Sequence, residues 1–111
     1  MADVDGARRA LEDALGRAEV LSDPLALKLY ARDASMVEGG CALVAFPRST
    51  DDIVACVRIA AEHGLPVVTR GSGTGLAGAA TPIGDSLVVV TAKMHEILQV
   101  LTEDRLAWVE P

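Results

Sequence analysis

Aromatic side chains are nearly missing from this chain: Tyr30, Phe46 and Trp108 are the only three among 111 residues. A core made without them rests on Ala, Val and Leu. Such a core folds but buries modest area, so a second body packed against it is expected. Lysine is as scarce, with none between Lys28 and Lys93. The net charge is −6 and the basic residues are scattered, which argues against a nucleic-acid partner, because backbone binding needs a basic face. Cys41 and Cys56 form no CxxC pair and have no neighbouring histidine, so neither a disulfide framework nor a zinc site is expected. The longest strongly apolar run, Leu87 to Val90, is far below the roughly 20 residues that span a bilayer. The acidic start, Met1-Ala2-Asp3-Val4-Asp5, has no apolar signal core. A cytoplasmic protein without a transmembrane segment is the expectation.

What is present is globular. Half the residues are hydrophobic, and the length fits one domain. Val4, Ala7, Leu11, Ala14, Leu15 and Ala18 recur at helical steps and predict an amphipathic helix over about 5–19, weakened at Gly16. Asp23-Pro24 starts a second short helix running to about Tyr30. Glu38-Gly39-Gly40 reads as a loop, and Ala42 to Phe46 as a strand closed by Pro47. Ser49 and Asp52 open a capping box for a helix whose expected buried stripe is Ile53, Val54, Val57, Ala60 and Ala61. That helix stops at Gly64, and Pro66 to Thr69 follows as a strand parallel to the first. Ser86 to Val90 is a further strand, Lys93 to Glu96 a single helical turn, and Ile97–Leu101 with Leu106–Val109 a hairpin. The fold class is therefore α+β, a small mixed sheet with a parallel βαβ core. Trp108 and Phe46 are expected in that core. The stop at Pro111, directly behind a strand, suggests a fragment or a truncated protein.

Glycine is where the chain is rich. Four of its ten glycines fall in Arg70-Gly71-Ser72-Gly73-Thr74-Gly75-Leu76-Ala77-Gly78, at the carboxyl end of the second parallel strand. Ligands of such sheets sit there, and glycine lets an anion approach main-chain N–H groups. A Walker A loop needs a lysine at its end and has none here. Gly73, Gly75 and Gly78 match G-x-G-x-x-G, but Pro82 and Gly84 leave no room for the helix that a Rossmann loop must open. A cradle made by the loop alone is the better fit. Arg70 either contacts phosphate or pairs with a surface carboxylate. His63 ends a helix and suits its dipole; His95 reads as a surface residue; Asp51 and Asp52 serve a helix start.

The stretch from Pro66 to Ala79 resembles the FAD pyrophosphate loop of the flavoprotein family that includes glycolate oxidase, D-lactate dehydrogenases and vanillyl-alcohol oxidase. Other segments match in the same order. Tyr30, Asp33 and Ser35 resemble the family's Tyr-x-x-Asp-x-Ser, and Val44 to Thr50 its first strand and turn. Met94 to Leu98 and Val109 to Pro111 resemble its later strand pair. Two departures are Ala79, where glycine is frequent, and Val90 to Met94, where Asp-Leu-Ser-Arg-Met is common. The resemblance implies that Arg70, Gly71, Ser72, Gly73, Thr74, Gly75, Leu76 and Gly78 wrap the FAD diphosphate, with Pro47 lining the cleft. Thr74 stands near the place of the histidine that tethers flavin in covalent members, so FAD is expected to be non-covalent. It further implies an N-terminal helical segment at 1–36 and the first half of a FAD-binding domain at 37–111. The second FAD subdomain and the substrate domain would be absent. The reaction implied for the longer protein is oxidation of a small 2-hydroxy acid, glycolate or D-lactate, with this piece alone inactive. The alternative is a non-enzymatic split subunit or remnant that docks a partner carrying the other half.

Overall fold

Three short apolar runs, Leu43–Ala45 (β2), Val67–Arg70 (β3) and Leu87–Val90 (β4), make the parallel part of one sheet in the computed structural model, which describes residues 2–111. Val20–Leu21 (β1) joins antiparallel at the edge, and the strand order is β1-β2-β4-β3. The α+β fold with a mixed sheet is as expected. The two strands read as parallel are parallel, but they are not neighbours. β4 lies between them and pairs with both.

β4 takes the centre because all four of its residues, Leu87, Val88, Val89 and Val90, are apolar and buried. Alternation then splits the core across the sheet. Leu43, Ala45, Leu87 and Val89 face one side, where they meet Ala7 and Leu11 of the helix Val4–Leu15 (α1) and Cys56, Ile59 and Ala60 of the helix Thr50–His63 (α3). Val44, Val88 and Val90 face the other, against Leu21, Leu27, Tyr30, Cys41 and Phe46. The helix Pro24–Leu27 (α2) continues as a 3-10 turn through Lys28–Tyr30 and supplies that second layer.

Several element ends differ from the sequence expectation, each for a local reason. α1 stops at Leu15, not near Glu19, because Gly16 adopts φ +101 and breaks the helix, leaving Ala18 in a separate 3-10 turn. Ser49 caps α3 by accepting from the Asp52 N–H at 3.2 Å, but Asp52 reaches back to the Arg48 N–H at 2.9 Å instead of that of Ser49. The buried stripe of α3 is rotated: Cys56, Ile59 and Ala60 are inside, while Val54, Val57 and Ala61 face out. No helical turn forms over Lys93–Glu96; a tight turn at Ala92–Lys93 closes with Met94 N–H on the Thr91 carbonyl. The strands Ile97–Leu101 (β5) and Leu106–Val109 (β6) do form a hairpin, but as a separate two-stranded ribbon. Both of its faces are open, so Trp108 is 59% exposed and not a core residue. Phe46 is half-buried, edge-on to Tyr30 at 5.6 Å between ring centres.

Candidate functional site

All three parallel strands end at one edge of the sheet. β2 runs into Pro47, β4 into Thr91, and β3 into the glycine loop at Gly71. The loop contains no helix, and the chain turns from Gly78 (φ +81) through a Thr81 N–H to Gly78 carbonyl bond. The loop-only cradle is therefore the geometry present, and the Rossmann alternative is excluded.

Hydrogen bonding gives this loop its chemical character. Among the described residues, none of the nine main-chain N–H groups from Gly71 to Ala79 donates to a protein acceptor. These residues lie on a largely exposed loop, so the amides face solvent and are free to donate to an acceptor from outside the chain. The Ser72 and Thr74 hydroxyls are hydrogen-bonded to each other at 3.1 Å, which leaves one O–H free as a further donor. Gly73 has φ +75, and a Cβ there would run into the Arg70 guanidinium. Gly71 and Gly75 are different. Neither has positive φ, a Cβ on Gly71 meets nothing within 4 Å, and on Gly75 only Asp33 Oδ2 at 3.9 Å. Nothing inside the chain requires glycine at these two positions.

The remaining expected site residues fall as follows. Ser72, Thr74, Gly75 and Leu76 are exposed on the loop, and Gly78 sits beside Ser35. Arg70 turns back from the loop: its Nη1 donates to the Arg32 carbonyl at 2.7 Å, and its guanidinium lies over the Tyr30 ring at 5.3 Å. Of its two sequence readings, the surface carboxylate pair is not formed. Pro47 is fully buried and presents no surface to a cleft. His63 does stand in the last turn of α3, and its Nδ1 meets Asp3 Oδ2 at 2.9 Å. Cys41 and Cys56 are free thiols; burial raises the first and pushes the second to about 11, so neither is a nucleophile at neutral pH. Among the described residues no His, Cys, Asp and Glu cluster could hold a metal.

Residues outside the glycine loop complete the site, and only some had a signal in the sequence. A cleft of about 460 Å³ opens beside Gly71 and Ser72, lined by Thr91, Met94, His95 and Pro111. His95 is exposed as expected, but it lines this cleft. Lys93 lies 5.1 Å from the Phe46 ring centre and pairs with Glu19, which also binds Arg48 at 3.2 Å. The Lys93 hydrogen bond, more than any other contact, holds the Glu19 carboxyl below its usual range. Asp33 and its neighbours touch the loop directly, through Ala34 N–H to the Gly75 carbonyl at 3.0 Å and Ala80 N–H to Asp33 Oδ2 at 3.4 Å. The spacing of Tyr30, Asp33 and Ser35 marked this segment, although nothing in it revealed what it would touch.

The profile of a family described as FAD binding domain matches residues 41–111. An uncharacterized FAD-linked oxidoreductase of Mycobacterium tuberculosis (strain ATCC 25618 / H37Rv) is 32% identical over 99 residues, covering 87% of this chain and 22% of the relative. Glycolate oxidase subunit GlcD of Bacillus subtilis (strain 168) is 42% identical over 65 residues, 59% of this chain and 14% of the relative. Among solved structures, 4-ethylphenol oxidase from Gulosibacter chungangensis matches with a TM-score of 0.79 at 22% identity, covering 89% of this chain and 20% of that one. At that identity the likeness is one of fold. The chain thus spans between 14% and 22% of the length of these relatives.

Proposed function

Because the chain belongs to the FAD-binding domain family, we propose that the loop from Gly71 to Gly78 is the seat of the FAD diphosphate. The observation that carries this is the run of unpaired N–H groups from Gly71 to Ala79. Successive amide donors left without a protein acceptor suit a phosphate, and they add no side-chain bulk. Gly71 keeps the approach clear, and the Ser72 and Thr74 hydroxyls supplement the amides. Leu76 and Gly78 continue the wrap. Arg70 acts from behind the loop through its contacts with Tyr30 and the Arg32 carbonyl. We read the binding as non-covalent because Thr74 stands near the place of the histidine that tethers flavin in covalent members of the family the loop resembles.

In the larger protein, bound FAD supplies a hydride acceptor for a small 2-hydroxy acid of the glycolate or D-lactate type. This chain's share is to hold the diphosphate. Residues 1–36 form its helical flank, and residues 37–111 the first half of the FAD-binding domain. The open β5–β6 hairpin supports the presence of another body, the second flavin-clasping half, either in the same chain or on a partner. NMR titration of the 111-residue chain with ADP and with FAD tests the seat. Both ligands are expected to shift the amides of 71–79 at up to millimolar concentration, and adenosine is expected to leave them unmoved. Equal shifts with adenosine, or shifts centred elsewhere, would refute a diphosphate seat.

A further inference from the structure

The cradle contains an apparent contradiction. A carboxylate, Asp33, lies directly beneath Gly75, and a negative charge there should repel the anion that the loop is built to receive. Its bonds explain its presence. Asp33 is 8% exposed, and its Oδ1 accepts from the Ser35 N–H at 2.8 Å while Oδ2 accepts from the Ala80 N–H at 3.4 Å. Its own N–H donates to Thr81 Oγ1 at 3.2 Å. The next residue, Ala34, donates its N–H to the Gly75 carbonyl at 3.0 Å. The residue before, Arg32, offers its carbonyl to Arg70 at the root of the loop, and Tyr30 lies under the same guanidinium. One short segment therefore grips the glycine loop at its root, its crest and its far end.

The polarity of that grip matters. It takes up a loop carbonyl at Gly75 and the amide just past the loop at Ala80, and it leaves the N–H groups of 71–79 free. A glycine-rich loop that spends none of its own donors on itself has little to hold its shape, and an anion would have to order it at a loss of affinity. We propose that Tyr30 to Ser35 is a positioning clamp that preorganises the loop for its anion, with Asp33 as its central positioning residue. The proposal rests on the diphosphate reading, but it makes a separate claim about the free chain. Hydrogen bonding from Ser35, hydroxyl before N–H, keeps the Asp33 carboxyl below its usual range, so the clamp carries its charge throughout the neutral range.

Two forces on ligand binding have opposite signs, so one substitution separates them. Asp33→Asn removes the charge but leaves a single acceptor oxygen for two N–H groups. As a positioning residue, its loss should weaken ADP binding by about tenfold or more, the scale of one charge-assisted hydrogen bond. As a mere nearby charge, its loss should tighten binding. Glu38→Gln, which removes an exposed carboxylate paired only with Arg32, is the control and should change affinity less than about twofold. The second measurement needs no ligand: ¹⁵N relaxation of the free chain should show new mobility at 71–79 in Asp33→Asn, with β2 and β4 unchanged. Tighter ADP binding, or loop amides as ordered as in the parent chain, would overturn the clamp. If ADP fails to bind the parent chain, the diphosphate reading falls, and the relaxation data still decide the clamp.

Discussion

Alanine at Gly71, Gly73 and Gly75 should produce two different defects, although all three glycines sit in the same loop. Gly73 adopts φ +75, where an L-residue costs about 1–2 kcal/mol. Its Cβ would also displace the Arg70 guanidinium, removing the hydrogen bond to the Arg32 carbonyl and the contact with Tyr30. Those losses add about 1–3 kcal/mol, for a total of roughly 2–5 kcal/mol. Against a typical stability of about 5–15 kcal/mol, this lowers the melting temperature by about 10 °C or more. Gly75→Ala meets only Asp33 Oδ2 at an ordinary 3.9 Å, and Gly71→Ala meets nothing within 4 Å. Both should leave stability within about 0.5 kcal/mol, or raise it slightly by restricting the unfolded chain. Yet Gly71→Ala adds a methyl group in the open space beside the loop amides, so with the proposed diphosphate seat its ADP affinity should fall by about tenfold or more. The Gly75→Ala methyl turns toward Asp33 and should change affinity less. Thermal melts and the NMR titration measure the two effects on the same samples. If Gly75→Ala melts as low as Gly73→Ala, or if Gly71→Ala binds ADP as well as the parent, the reasoning fails.

Other expectations follow from single contacts. Gly39→Ala would drive its Cβ into the Pro82 carbonyl, a backbone atom that cannot rotate away, so urea unfolding should show a loss of about 2–4 kcal/mol. Glu19 has a folded pKa below its unfolded value because Lys93 and then Arg48 bond its carboxylate, so its stabilisation is present above about pH 4.5. That stabilisation is lost as pH falls through the folded value, and Glu19→Gln should flatten this acid limb of a stability–pH curve while lowering neutral stability by about 1–2 kcal/mol. Arg105 sits at φ +53 in the hairpin turn, and Arg105→Gly should stabilise the hairpin by about 0.5–1 kcal/mol, visible as slower amide exchange in β5 and β6.

Where the sequence was informative, the signal was local and chemically unambiguous. Asp23 before Pro24, Ser49 before α3 and Gly64 after it act as caps because each satisfies or releases backbone groups within one turn of itself. The glycine loop was legible for the same reason: its composition is its conformation. The rotation of α3 was not, because its apolar residues run unbroken from Ile53 to Val57 and again from Ile59 to Ala61 and mark no single face. The placing of β4 between β2 and β3 is decided by which run can be buried on both sides, and that is a comparison between distant segments. Trp108 misled for a related reason, since a large apolar side chain predicts burial only when a body is there to cover it. The Asp33 contact with Ala80 spans 47 positions and has no local signature at all.

β3 is the outermost strand of its sheet, hydrogen-bonded on one side only, and the loop hangs from its last residue. The proposed anion seat is therefore mounted on an edge strand, while β2 and β4 are paired on both sides and buried. Whatever fills the seat must also fasten that edge, so occupancy and the integrity of the sheet are one equilibrium read at two ends.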